Sequence, residues 1–357
     1  MKTVFILGAG ASKPAGLPVM SDFLERARHI QRNMQGQPGI ESFTRVFQAI
    51  DGKARSIHSK ILLENRENIE TWFGLIDMGL MIGKFGKQTR EEIEHLREDF
   101  ITMISKTIEL SGKFSPNAPP SPYGEFAQVL QDNTFSSLEF SFITFNYDVL
   151  LEFSLAGAGI KYDYCLNDSD NQQKSFQFIK LHGSVNWGIC QGCDEIIPVD
   201  PKITSISTGK DPYRILQAGA ILSTKNHCGK PLNPIPFLVP PTWNKANINQ
   251  NKVLTLWEKA ANALSQAEKI IVIGYSMPET DIFFKYLIAL GLDSDNHIHR
   301  FYLIDPDPGV GQRFQKLMGP ALPTQTGDHG RFRHNQSNFD THFITTSSLR
   351  SILLDGL

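Results

Sequence analysis

At 357 residues, with 41% hydrophobic and 20% charged positions, the chain can bury a full core and is too apolar to stay disordered. Its 35 Lys and Arg against 37 Asp and Glu leave a formal charge of −2, which excludes a global basic field and, with it, duplex nucleic acid as the main partner. Four cysteines make no disulfide scaffold, and no apolar run reaches the roughly 18 residues of a membrane span, so a cytoplasmic protein is expected.

The start runs straight into a strand-like segment, residues 4–7, with no small-residue cleavage site. From about residue 22 to 130 the texture is helical. Ile69, Trp72, Phe73, Ile76 and Leu80 fall at helical spacing, as do Ile93, Leu96, Phe100, Met103 and Ile104. Pro116, Pro119, Pro120 and Pro122 then mark a loop. Strand texture returns at 140–144, 176–181 and 237–239, with a cysteine-bearing, turn-rich stretch before the last of these. A helical run at 253–268 leads into the strongest strand, 269–273. A helix from about Glu279, a strand at 301–304 and helical texture to Met318 follow. Residues 319–341 read as a long loop and 342–345 as a last strand, with Ser347 capping a final helix through Leu354.

Strands alternating with helices predict an α/β fold: a doubly wound, mainly parallel Rossmann-like sheet. Residues 22–130 read as a helical module inserted into it, and residues 185–235 as a small zinc-ribbon-like element, all within a single domain over 1–357.

Five motifs stand at the predicted strand ends, where open α/β sheets bind ligands. Gly8, Ala9, Gly10, Ala11 and Ser12 form a glycine turn that can approach a diphosphate, although Lys13 holds the place of a third glycine. Thr144, Asn146 and Asp148 can orient water and hold ribose hydroxyls; Asp148 also suits a helix cap. His182, beside Gly183, suits general-base work near neutral pH or a structural hydrogen bond. Gly274 and Ser276 precede Asp281, and Asp305 and Asp307 close another strand; such acids hold ribose or cap turns.

Taken in order, these motifs and the Cys190–Cys193 pair resemble the sirtuin family, and more closely the bacterial sirtuin-like NAD hydrolases of anti-phage defence. The resemblance runs from Val4 to about Asp307. It implies NAD as substrate, with Gly8, Ala9, Gly10 and Ser12 at the diphosphate. Thr144, Asn146 and Asp148 would stand at the nicotinamide ribose, His182 would be the catalytic histidine, and Gly274, Ser276 and Asp305 would line the adenosine side. The deacetylases' Gly-Ile-Pro-x-Phe-Arg segment survives only as Gly16, Leu17, Pro18, Val19 and Met20, and the family's Leu-Ile-Asn ends here in Asp305. Their Phe-Gly-Glu segment has no counterpart; residues 239–243 stand there. Peptide-binding parts are thus lost while NAD-binding parts remain, which favours hydrolysis of NAD to ADP-ribose and nicotinamide.

Cys190 and Cys193 match one side of a tetrahedral zinc site, but Lys225 stands where a second pair would begin, leaving Cys228. His227 adjoins Cys228, and adjacent residues seldom share one ion; Cys165 is distant. The ribbon therefore either holds zinc through Cys190, Cys193 and Cys228 or packs without metal. In either form it is structural.

A free NAD hydrolase would harm its host. With no nucleotide-sensing appendage expected after Leu357, restraint is expected from homo-oligomer packing or from a separate partner. The resemblance implies a ring-forming ATPase/translocase or a short Argonaute protein. The helical block and residues 349–354 are candidate assembly surfaces. The competing readings keep the dinucleotide site: a protein deacylase or ADP-ribosyltransferase, or a silent NAD or ADP-ribose-binding scaffold. Arg331, Phe332, Arg333 and His334 read as loop linker and not as a nucleic-acid site.

Overall fold

A run that is apolar on both faces has to be covered on both faces, and strand β1 (Lys2–Leu7) is buried from Thr3 onward. A computed structural model describes residues 1–56, 67–167, 176–206, 212–240, 250–278, 281–292, 298–318, 331–346 and 348–356. In it β1 lies inside a seven-stranded sheet. Beyond it on one side come β2 (Glu139–Thr144), β4 (Phe176–Lys180) and the short β3 (Tyr162–Asp163). On the other side lie β11 (Lys269–Ile273), β12 (Arg300–Ile304) and the edge strand β13 (Phe332–Asn335). Every pairing is parallel, with Phe5 set between Phe142 and Ile271. The expected Rossmann-like sheet is present. Three antiparallel hairpins stand outside it: β5 (Trp187–Ile189) with β6 (Ile196–Pro198), β7 (Lys202–Ile206) with β8 (Tyr213–Gln217), and β9 (Asn226–His227) with β10 (Lys230–Pro231).

β1 and β2 are neighbours, yet six of the described helices lie between them in sequence. After the one-turn α1 (Ala9–Ser12) come α2 (Phe23–Asn33), α3 (Ile40–Ser56), α4 (Ile69–Ile82), α5 (Arg90–Ser111) and α6 (Tyr123–Leu130). The side chain of Asn68 starts α4 by accepting from the Glu70 and Thr71 amides, and a Thr89–Glu92 capping box starts α5. Arg97 of α5 meets buried Asp77 of α4 at 2.6 Å, where burial raises the Asp77 pKa against the pull of the guanidinium. Buried Glu109 of α5 accepts the Ala218 and Gly219 amides at 2.8 Å, tying the helices to the chain after β8. Further on are α7 (Leu150–Gly157), α8 (Gln250–Ser265), α9 (Ile282–Gly291), α10 (Pro308–Met318), α11 (Thr341–Thr345) and α12 (Ser348–Leu354). Among the described residues, no helix is long and apolar enough to cross a membrane.

Four expectations change. Residues 332–335 are a strand and not a loop: Phe332 stacks on Phe301 at 5.6 Å, while Arg333 and His334 give this edge a polar texture. Residues 342–345 lie in a helix and not a strand, because Asp340 caps the Phe343 amide and turns Phe343 and Ile344 inward. Residues 237–239 make a single bridge, Leu238 to Gly183, and no ladder strand. Leu349, Ile352 and Leu353 are core, with the Lys269 ammonium donating to two of their carbonyls, so within residues 349–354 the exposed apolar side chain is Leu354. Ser347, Glu279 and residues 241–243 lie outside the described residues.

The loop after β1 and the turn after β11 meet backbone to backbone. Gly10 N–H donates to Gly274 O at 2.8 Å, and a Cβ on Gly274 would stand 2.2 Å from the Ala11 nitrogen. Gly274 also has φ +57°, a conformation that other residues reach only with strain. Gly274→Ala should therefore lower stability by about 3 kcal/mol or more in urea unfolding. Gly157→Ala, which meets nothing within 4 Å, should be neutral or mildly stabilising.

Candidate functional site

The carboxyl ends of β1, β2, β4, β11 and β12 open on one cavity of about 490 Å³. Ala9, Gly10, Ser12, Asn146, Asp148, His182, Gly274, Ser276 and Asp305 all line it. Gly8 and Thr144 do not; they stand beneath it. The Thr144 hydroxyl donates to Leu7 O at 3.1 Å and accepts from the Asn146 amide, while Gly8 O accepts from Asn146 Nδ2 at 2.9 Å. Both residues thus fix Asn146 from below.

Ser12 is the hub. Its hydroxyl donates to Asp148 Oδ2 at 2.8 Å and accepts from Asn146 Nδ2 at 3.2 Å. With that proton spent, the 2.7 Å contact to Tyr123 must be donated by the phenol. Burial and the nearby Asp148 push the Tyr123 pKa well above 10, which keeps that donor protonated. The other Asp148 oxygen accepts the Leu150 amide at 3.1 Å, opening α7 as a cap would. Beneath lies a buried ion pair, Lys180 Nζ to Glu152 Oε1 at 2.6 Å, and the same ammonium donates to the Asp148 carbonyl. The Asn146 amide nitrogen is committed twice, so its Oδ1 is the atom left for a ligand.

His182 is different. It is 4% exposed, lies edge-on to Phe145 at 5.2 Å, and its imidazole has no hydrogen-bond partner among the described residues. Burial lowers its pKa below 6.5, partly opposed by the charge of Asp281, so the ring is neutral at pH 7.

At the other end, Asp305 uses Oδ1 to accept the Asp307 amide at 2.9 Å; burial raises its pKa. Ser276 O accepts from Arg313 Nε at 3.0 Å. The N–H groups of Gly8 and Gly10 are taken by Ile273 O and Gly274 O, so neither is available to an anion. The cation at this rim is Lys13, exposed and lining the cavity.

The opposite wall comes from the helices: Leu17, Phe23, Ile69, Phe73, Ile104 and Ile108, with the carboxylate of Glu70. Sequence reading did not find Tyr123 or Glu70, since no motif surrounds them. It noted Lys13 without giving it a role, and Asp281 only as an acid that could hold ribose or cap a turn.

A second cluster lies apart, on the hairpins. Cys190, Cys193, His227 and Cys228 hold their donor atoms within 4.8 Å of one another, and Cys193 Sγ lies 3.3 Å from His227 Nδ1. The expected three cysteines are together, and the doubt over His227 is corrected. Cys228 and Gly229 are both left-handed, φ 44° and 77°, as a two-residue hairpin turn requires, and this brings the Cys228 thiol alongside His227. Three thiols and an imidazole over this span suit tetrahedral zinc, bonded at about 2.0–2.3 Å. Cys165 is elsewhere, its thiol against Asp163 O.

A family model described as a SIR2-like domain matches residues 141–232. No curated protein matches the chain. Among solved structures, a Sir2 homologue–NAD complex aligns over 99% of this chain and 90% of its own, at 16% identity and a TM-score of 0.43. A mutant Sir2 homologue with 2′-O-acetyl ADP ribose covers 100% and 94%, at 16% identity and a TM-score of 0.43. Sir2Tm bound to a propionylated peptide covers 98% and 93%, at 13% identity and a TM-score of 0.41. Likenesses that distant assign no role to any residue. The SIR2-like match takes in Asn146, Asp148, His182 and the whole cysteine cluster.

Proposed function

We propose that the chain hydrolyses NAD to ADP-ribose and nicotinamide. The observation that carries this is the imidazole of His182: buried, without a hydrogen-bond partner among the described residues and lowered in pKa by its burial, in the same cavity as Asn146 Oδ1. A structural histidine at this depth would have a partner; a general base needs its nitrogen free.

In the reaction the bond between C1′ of the ribose and the nicotinamide nitrogen breaks. Its electron pair leaves with nicotinamide, which departs neutral, and the ribose carries oxocarbenium character. A water held by Asn146 Oδ1 bonds through oxygen to C1′ and passes one proton to His182, which releases it to solvent. Ser12 and Asp148 hold the loop and Asn146 in register, Lys13 faces the diphosphate, and Asp305 and Ser276 border the adenosine end. Residues 1–357 act in this reading as one unit, with 22–130 as its helical module. On the motif resemblance, the chain serves as the effector of an anti-phage defence system. It is held in check as a homo-oligomer or by a ring-forming ATPase/translocase or short Argonaute partner. Zinc, held by Cys190, Cys193, His227 and Cys228, would staple the hairpins and take no part in the reaction.

His182→Ala should cut nicotinamide release by roughly 10²- to 10⁴-fold, and Asn146→Ala comparably, with ADP-ribose still bound. Release that needs an added acyl-peptide or protein acceptor would mean transfer, and none under any condition a silent binder. Because the base must be unprotonated, kcat/KM should fall as pH drops through a midpoint below 6.5 and stay level above it. A midpoint above 6.5 would count against His182. Elemental analysis of protein purified without chelator should find about one zinc per chain, and Cys193→Ser should reduce it to about a tenth or less.

A further inference from the structure

Beyond β11 the chain passes through Gly274 and Met277, both left-handed, and delivers Asp281 to the head of α9. Asp281 is 2% exposed. Its Oδ2 accepts from the Tyr275 hydroxyl, while its Oδ1 is buried with no partner among the described residues. A carboxylate oxygen removed from water without donor or cation is costly to keep, and here it borders the same cavity as His182.

Its surroundings narrow what could complete it. Tyr275 stacks on Phe145 at 4.6 Å, Tyr147 and Phe73 add further ring faces, and Glu70 lines the cavity from α4. The charges of Glu70 and Asp281 are both felt at the Tyr147 and Tyr275 hydroxyls, so the two carboxylates serve one region. Aromatic walls with buried carboxylates suit a flat, positively charged ring. Lys13, the cation of the cavity rim, belongs to the loop after β1, on the side given to phosphate.

We propose that Asp281 is the specificity-determining residue for the cationic pyridinium ring, so that the site takes the oxidised dinucleotide in preference to the reduced one, whose ring is neutral. This rests on the dinucleotide reading above. It also fits the chemistry, because only the oxidised ring leaves as a neutral molecule when the glycosidic bond breaks.

The test is calorimetric titration of the full chain with ADP-ribose, NADH and carba-NAD, the last keeping the pyridinium charge while resisting hydrolysis. Wild type should bind carba-NAD at least about tenfold more tightly than NADH. Asp281→Asn should lose about tenfold for carba-NAD while NADH and ADP-ribose stay within about twofold, and Tyr275→Phe should lose part of the preference. Equal wild-type affinity for carba-NAD and NADH, or an unchanged ratio in Asp281→Asn, overturns the assignment and leaves the dinucleotide reading standing. Absence of binding by wild type to ADP-ribose and carba-NAD alike overturns both. Should Asp281→Asn fail to fold, shown by loss of ADP-ribose binding, the wild-type ratio decides alone.

Discussion

Between the loop that follows β1 and the turn that follows β11 there is no room for a single side chain. A Cβ on Gly8 would lie 2.5 Å from Tyr275 Cα, and one on Gly10 2.8 Å from Gly274 O. This contact fixes where α1 begins, and α1 carries Ser12 to within hydrogen-bonding distance of Asn146, Asp148 and Tyr123. Those four residues come from three separate places in the chain, so their meeting depends on backbone packing before any of their own bonds form. The glycines are accounted for by this packing alone. With the amides of Gly8 and Gly10 spent on it, the loop offers the cavity the Lys13 ammonium where a fully open glycine cradle would offer N–H groups.

Much of this was legible beforehand because a parallel sheet is covered on both faces. Its strands are rich in apolar residues, and β1, β2, β4, β11 and β12 were found within two residues of their ends. Motifs at the carboxyl ends of such strands are brought together by the topology itself, which is why Asn146, His182, Gly274 and Asp305 could be named from order alone. Where that covering stops, so does legibility. β13 is an edge with a polar texture, and residues 342–345 are too short a run to show a period. Tyr123 stands 111 residues from the hydroxyl it meets, so nothing near it in sequence marks it. His227 was set aside by a sound general expectation that failed locally, since a left-handed Cys228 reverses the direction of its thiol.

The helices between β1 and β2 do more than decorate the sheet. Phe23, Phe73, Ile104 and Ile108 form the wall facing the strand ends, so the cavity is half sheet and half helix. Asp77 with Arg97, and Glu109 with the Ala218 and Gly219 amides, are buried polar contacts that allow few alternative packings of α4, α5 and the hairpins. Such contacts add little net stability against apolar substitutes, but a shifted helix would leave each of them unsatisfied. The wall is therefore held at a defined distance from His182.

The cavity combines two opposite states of polar satisfaction. Ser12 has its hydroxyl fully used, Asp148 and Lys180 are bonded on every side that faces protein, and Thr144 is spent on the backbone. In the same cavity, the His182 ring and one oxygen of Asp281 have no hydrogen-bond partner among the described residues. A protein that needed only to hold its fold could fill the Asp281 position with an apolar residue and gain stability, because an unmet buried polar group costs about 1–3 kcal/mol and a charged one more. That cost is recovered only when something enters that can offer a proton to the imidazole and positive charge to the carboxylate. Water can do the first and an alkali cation the second. In the proposed function, a ribose carrying a pyridinium ring, with a water beside it, would do both at once. On that proposal the unsatisfied groups stand at the reacting end of the cavity, and the satisfied ones form the frame around it.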